Sequence, residues 1–177
     1  MNLYPIRLHP DADLRRALEL AVAQHKLEAA FIMSVVGSLK KARLRMAGAS
    51  KIVTIEGPFE IFSLGGTLCS DGAHLHIGLS DRTGSCIGGH LCYGSIIYTT
   101  AEIVIGCSEH HIFKRIHDQE TGYPELVIEA LQPTRAKAPT STLKRADEND
   151  QRESSESHPR TSPEQPDLKT EDEKHPF

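Results

Sequence analysis

The chain has 177 residues, with 20 Lys+Arg against 24 Asp+Glu, a formal net charge of -4, 38% hydrophobic residues and no Trp. That length allows one ordinary domain with an appendage rather than two full domains. The mild acidic balance argues against a protein that grips phosphate backbones by bulk charge. Composition then splits the chain. All 13 glycines and all 4 cysteines lie at or before Gly122, whereas residues 133–177 hold 6 of the 10 prolines and 18 charged residues against six hydrophobic ones. A segment so poor in apolar surface cannot offset its ordering entropy. The composition predicts a folded body over residues 1–132 and a disordered, charged, Pro-containing tail over 133–177. The body alone carries 12 Lys+Arg and 14 Asp+Glu, so it is nearly neutral.

In chain order, residues 3–8 read as a first strand. Leu14, Ala17, Leu18, Ala21 and Val22 follow at helical spacing, with Asp11 as the expected cap and an end near His25 and Lys26. Residues 29–37 form a short apolar run that ends on glycine, which predicts a strand buried on both faces. Residues 39–46 alternate with basic side chains as a half-exposed strand does, and residues 52–55 form another. Gly57-Pro58 predicts a turn. Further strands are expected over 59–68, 73–80, 86–91, 95–105, 112–117 and 126–130, with Asp71-Gly72 and Arg82-Thr83-Gly84 as tight turns between antiparallel neighbours. The expected fold class is α+β, one main helix on a large, mainly antiparallel sheet.

The amino terminus has no basic region followed by an apolar run, and no stretch reaches bilayer-spanning length. Cys69, Cys86, Cys92 and Cys107 form no C-x-x-C pair, and the reading is four small buried hydrophobes in a reducing cytoplasm. No G-x-x-x-x-G-K, G-x-G-x-x-G or G-x-S-x-G motif is present.

The chemistry-bearing residues concentrate between Gly57 and Gly106. In the strand over 73–80, Leu75, Ile77 and Leu79 point to one face and His74 and His76 to the other. After a turn the chain returns through Gly88-Gly89-His90, and a hairpin would bring His90 near His74 or His76. Three imidazoles leave an open position on Zn²⁺ or a similar divalent ion. The alternatives are that they meet solvent or a subunit neighbour, or bind a polar ligand without metal. Gly88-Gly89 would admit a close backbone or ligand. Glu60 and Glu102 alternate in phase with apolar neighbours, which is costly for a carboxylate unless it is paired or bound. Each is a candidate further ligand or general base, or the partner of an arginine such as Arg43 or Arg45. The basic stretch Lys40, Lys41, Arg43 and Arg45 reads as a solvated strand face, and His110, His111 and His117 as surface residues.

The ordered set Val36-Gly37-Ser38-Leu39-Lys40-Lys41, Gly57-Pro58-Phe59-Glu60-Ile61-Phe62, Gly65-Gly66-Thr67-Leu68, His74-Leu75-His76-Ile77, Gly88-Gly89-His90-Leu91 and Thr99-Thr100-Ala101-Glu102-Ile103 resembles the PPC domain (plant and prokaryote conserved domain). Prokaryotic members are often described as DNA-binding proteins with a PD1-like motif. The resemblance implies a highly twisted antiparallel sheet assembled as a homotrimer. It also implies a metal, zinc foremost, at His74, His76 and His90. In plant members the domain follows AT-hooks that bind A·T-rich minor groove. This chain has no Arg-Gly-Arg-Pro core, so direct DNA binding is expected to be weak. The expected function is a stand-alone, trimeric regulatory or binding module with a histidine metal site. The alternatives are a metal-dependent enzyme or a small-ligand sensor working at the same cleft.

Overall fold

The computed structural model describes residues 1–131, and the tail predicted over 133–177 lies outside the described residues. Strand β1 (Asn2–Leu8) leads to the single helix α1 (Leu14–His25), followed by β2 (Ala30–Arg45), β3 (Ile52–Cys69), β4 (Gly72–Ser80), β5 (Cys86–Leu91), β6 (Ile96–Cys107), β7 (His111–His117) and β8 (Pro124–Ala130). Six strands form one antiparallel sheet in the order β1-β6-β2-β3-β4-β5. An added β2–β5 pairing closes β2, β3, β4 and β5 into a ring. The expected mainly antiparallel sheet with one helix is present. The last two strands depart from expectation, because β7 and β8 form a separate two-stranded sheet.

Helix α1 forms where the apolar spacing predicts, burying Leu14, Leu18, Ala21 and Val22. Its cap is Asp13 rather than Asp11. Asp13 has the extended backbone a cap requires (φ -77, ψ 114) and accepts from the Arg16 N–H. Asp11 sits in the left-handed region (φ 68), which an aspartate tolerates, and its carboxylate pairs with Lys40. At the other end Lys26 adopts φ 52 and donates to the carbonyls of Ala23 and Val22.

Two expected breaks do not interrupt the sheet. The two strands expected over 29–37 and 39–46 form one 16-residue strand, β2 (Ala30–Arg45), whose Met33, Ser34 and Val36 are exposed, so the first run is not buried on both faces. At Gly57-Pro58 the chain does not turn. The register moves from Leu39 opposite Phe59 to Lys41 opposite Glu56, so one residue of β2 faces two of β3. A bulge absorbs a proline that cannot donate to the ladder.

The core lies between α1 and the sheet, with Leu14, Leu18, Leu75, Leu79, Leu91 and Ile97 fully buried. Each contributes roughly 1.5–3 kcal/mol of transfer free energy. Of the four cysteines, Cys69, Cys92 and Cys107 are buried, but Cys86, the first residue of β5 beyond an exposed turn, is exposed. No helix among the described residues is long and apolar enough to cross a membrane.

Candidate metal centre

Strand alternation and register build the site. In β4, Ala73, Leu75, Ile77 and Leu79 are buried while His74 and His76 face outward. Across the β4–β5 ladder His76 lies opposite His90, and across β5–β2 His90 lies opposite Arg45. Two glycines let β5 fit between those neighbours. A Cβ on Gly88 would stand 2.7 Å from the Ile77 carbonyl oxygen, and one on Gly89 2.9 Å from that of Arg45. The close approach expected of Gly88-Gly89 is therefore one of backbone.

The three histidines converge. Ring centroids are 5.0 Å apart for His74–His76, 5.3 Å for His74–His90 and 5.7 Å for His76–His90. One nitrogen from each ring lies within 4.8 Å of the others. His74 Nε2 and His76 Nε2 are 3.3 Å apart. That is about the edge of a tetrahedron whose Zn–N bonds are roughly 2.0–2.1 Å. Glu60 and Glu102 are not part of this group. Both are exposed, with Glu60 opposite Ser38 and Ser80 and Glu102 opposite Val36 and Arg7. The irregularity between Ile61 and Ser63 puts Leu64 and Leu68 on the buried face and leaves Glu60 outside beside Phe62.

Electrostatics favour neutral rings. Burial, followed by the Arg15 and Arg45 guanidiniums, lowers the His90 pKa to about 4. His74 is also lowered, first by the desolvation of its packed side and then by His76 and Arg115, although much of its surface stays exposed. Metal binding requires unprotonated imidazole, so both shifts favour ligation at neutral pH. One contact tests the fit. Arg15 Nη1 lies 3.4 Å from His90 Nε2, and a guanidinium can only donate. Nδ1 of His90 is buried without a hydrogen-bond partner among the described residues. With Nε2 accepting from Arg15 the neutral ring carries its proton on Nδ1, so an ion on His90 would displace either that proton or the Arg15 contact. The spacing of the three ring nitrogens, within 4.8 Å of one another and 3.3 Å between the two Nε2 atoms of β4, fits a divalent ion of the zinc type.

Arginines surround the histidines. Arg15 Nη1 donates to the Leu91 carbonyl at 3.0 Å, Nη2 to that of Ala73 at 3.0 Å, and Nε to Glu19 Oε1 at 3.1 Å. Its guanidinium also stacks 4.6 Å from the Tyr93 ring centroid, and the Tyr93 hydroxyl donates to Glu19 Oε2 at 2.6 Å. A cleft of about 430 Å³ is lined by Arg15, Arg45, Arg115, His74 and His90, with Asp71, Tyr123 and Glu125 among its walls. The sequence reading singled out none of these arginines for the site. Arg15 is simply a polar helix position, Arg45 belongs to what read as a solvated strand face, and Arg115 arrives on a hairpin distant in sequence. His110 and His117 are exposed as expected, while His111 is half-buried and bonded through Nδ1 to Ser108 Oγ at 2.7 Å.

The family model described as the Plants and Prokaryotes Conserved (PCC) domain matches residues 1–108. The chain belongs to that family. The PCC match ends before β7, so Arg115 and residues 123–125 of the cleft lie beyond it. Among curated proteins, the bifunctional protein GlmU of Synechococcus sp. (strain JA-3-3Ab) is 44% identical over 147 residues, 83% of this chain. The chain spans only 23% of that protein's length. Among solved structures, a hypothetical protein from Salmonella cholerae-suis shares the fold with TM-score 0.71 and 39% identity, covering 73% of this chain and 94% of that one. A metal-containing protein from Archaeoglobus fulgidus superposes with TM-score 0.60 and 25% identity, covering 72% of this chain and 94% of the other.

Proposed function

We propose that this PCC-domain chain is a homotrimeric binding module that holds a divalent metal, zinc in the simplest case, on His74, His76 and His90. The observation that carries the reading is the convergence of three imidazoles, one nitrogen from each lying within 4.8 Å of the others. The metal-containing nature of the Archaeoglobus fulgidus structure supports it. A zinc held by three histidines supplies Lewis acidity at an open coordination position. This chain's residues fix the rings: the β4–β5 ladder sets His76 against His90, and Arg15 ties the start of α1 to both strands. The proposed ligand set is the three histidines alone. Glu60 and Glu102 stand farther along the same outward surface, with Val36, Phe62 and Tyr98, which are 59%, 59% and 50% exposed. Apolar side chains at that exposure are the support for packing this face in the trimer.

Elemental analysis tests the metal. About one equivalent per chain is expected, falling to near zero in a His76→Ala/His90→Ala variant that remains folded, and a metal-free wild type would refute it. Light scattering tests the assembly, with a mass near three times 19.5 kDa expected. DNA binding, to which the names of two other proteins of this fold refer, is the competing role. A nearly neutral body predicts only weak association with duplex, lost as salt rises.

A further inference from the structure

The described residues contain two buried side-chain nitrogens without a hydrogen-bond partner, His90 Nδ1 and Arg115 Nε, and both residues line the same cleft. Arg115 is otherwise anchored, since its Nη2 donates to the Thr67 carbonyl at 3.3 Å and to Thr67 Oγ1 at 2.6 Å. Its backbone N–H donates to Asp71 Oδ2 at 3.1 Å. Anchoring leaves the buried Nε as a fixed donor awaiting an acceptor. Arg45 lines the opposite strand of the cleft, and neither Arg45 nor Arg115 makes an ion pair among the described residues. Arg15, by contrast, is neutralised by Glu19. Two guanidiniums without counter-ions, one with a buried donor to spare, call for an oxyanion, whose geometry the guanidinium fork matches.

We propose that the cleft binds a small oxyanion-bearing molecule, a carboxylate or a phosphate, gripped by Arg45 and Arg115 beside the histidine cluster. This deepens the metal reading by naming the ligand class next to the ion, but the arginine grip does not itself require the ion. Size and charge favour a small molecule over nucleic acid. The cleft is about 430 Å³, within the range of small-ligand sites. Asp71 and Glu125 share its lining with the three arginines and would oppose a polyanion. The β7–β8 hairpin, which supplies Arg115 and Glu125, lies beyond the residues the family model matches, so the ligand is expected to be particular to this chain and its near relatives.

The test is calorimetry on chelator-stripped and on zinc-loaded full-length chain, with succinate and inorganic phosphate as probes. Saturable binding of either probe is expected, and the tighter one identifies the headgroup. Arg45→Gln should weaken it at least tenfold and Arg45→Lys less, because a lysine keeps the charge without the fork. Because Arg115 also anchors β7 to β3, Arg115→Gln is read only alongside an unchanged circular dichroism spectrum. If neither probe saturates in either form, or if Arg45→Gln binds as wild type does, the inference is overturned. Oxyanion binding with no zinc uptake would remove the metal reading and leave this one, and zinc uptake without oxyanion binding the reverse. A short DNA duplex that displaces the bound probe at physiological salt would overturn the choice of a small molecule.

Discussion

Two outward-facing parts of the sheet carry polar residues, and they are organised in opposite ways. On β4 and β5, His74, His76 and His90 sit on neighbouring register positions and their rings meet. On β2, β3 and β6, Glu60 and Glu102 are equally exposed, but their ladder partners are serines, a valine and Arg7, and apolar Val36, Phe62 and Tyr98 share the surface. Pointing to one face is thus a weak condition. Ligation by side chains of one sheet is favoured where they occupy neighbouring positions on paired strands, whose directly opposed Cβ atoms are about 4.5–5.5 Å apart. The histidine patch meets that condition and the glutamate patch does not, so the first suits ligation and the proposed packing against another copy falls to the second.

Separating the two patches by mutation is the largest expected effect. His76→Ala/His90→Ala should abolish metal uptake and leave the assembly mass unchanged. Val36→Asp with Tyr98→Asp should reduce the mass towards that of one chain while metal per chain stays near one, Phe62 being left in place because it lies against Gly78 and shares a pocket with His74 and His76. Elemental analysis and light scattering on the same samples read both. Loss of metal on breaking the assembly would mean that the ligand set is completed across subunits, and the comparison of independent patches would fall.

A second effect sharpens the histidine side through its backbone. Gly66 adopts φ 140, and a Cβ there would lie 1.9 Å from the His74 carbonyl oxygen, whereas a Cβ on the adjacent Gly65 meets nothing within 4 Å. Gly66→Ala should therefore cost about 2–4 kcal/mol by forcing β3 away from the strand that carries His74. Gly65→Ala should stay within about 0.5 kcal/mol. Urea midpoints of the two variants measure the difference, and equal midpoints would show that β4 is not held at this point.

The same contrast explains what the sequence could reveal. Alternation in β4 and the short turn before β5 were local signals, so the fold class, the hairpin and its three histidines were legible. The family pattern reinforced them. Non-local register was not legible. The bulge opposite Lys40 and the irregularity after Ile61 each shift phase by one residue, which carried Leu64 and Leu68 to the side away from Glu60 and moved a predicted turn into a continuous strand. Arg15, Arg45 and Arg115 come from α1, β2 and β7, and only the closed ring and the folded-back hairpin assemble them. The helix cap failed for a more local reason: Asp11 and Asp13 are chemically alike, and only the backbone before Leu14 decides which one can reach the Arg16 N–H.

The smallest effect concerns protons on the histidine side, where His74 and His90 are both shifted. In the unfolded chain an imidazole takes up a proton near pH 6.5, whereas folded His90 resists until about pH 4. Between those values the unfolded chain binds more protons, so stability is lost as pH falls from about 6.5 to 4 and the loss levels off below. At neutral pH both states are unprotonated and His90 costs nothing by this route. His74, lowered in the same direction, adds to the trend. Partial exposure of both rings keeps the effect modest. Urea midpoints of chelator-stripped protein between pH 4 and 7 should therefore fall more steeply for wild type than for His90→Gln. Parallel curves for wild type and His90→Gln would show that the ring is solvated like an ordinary surface histidine, and the electrostatic account of the histidine side would fall.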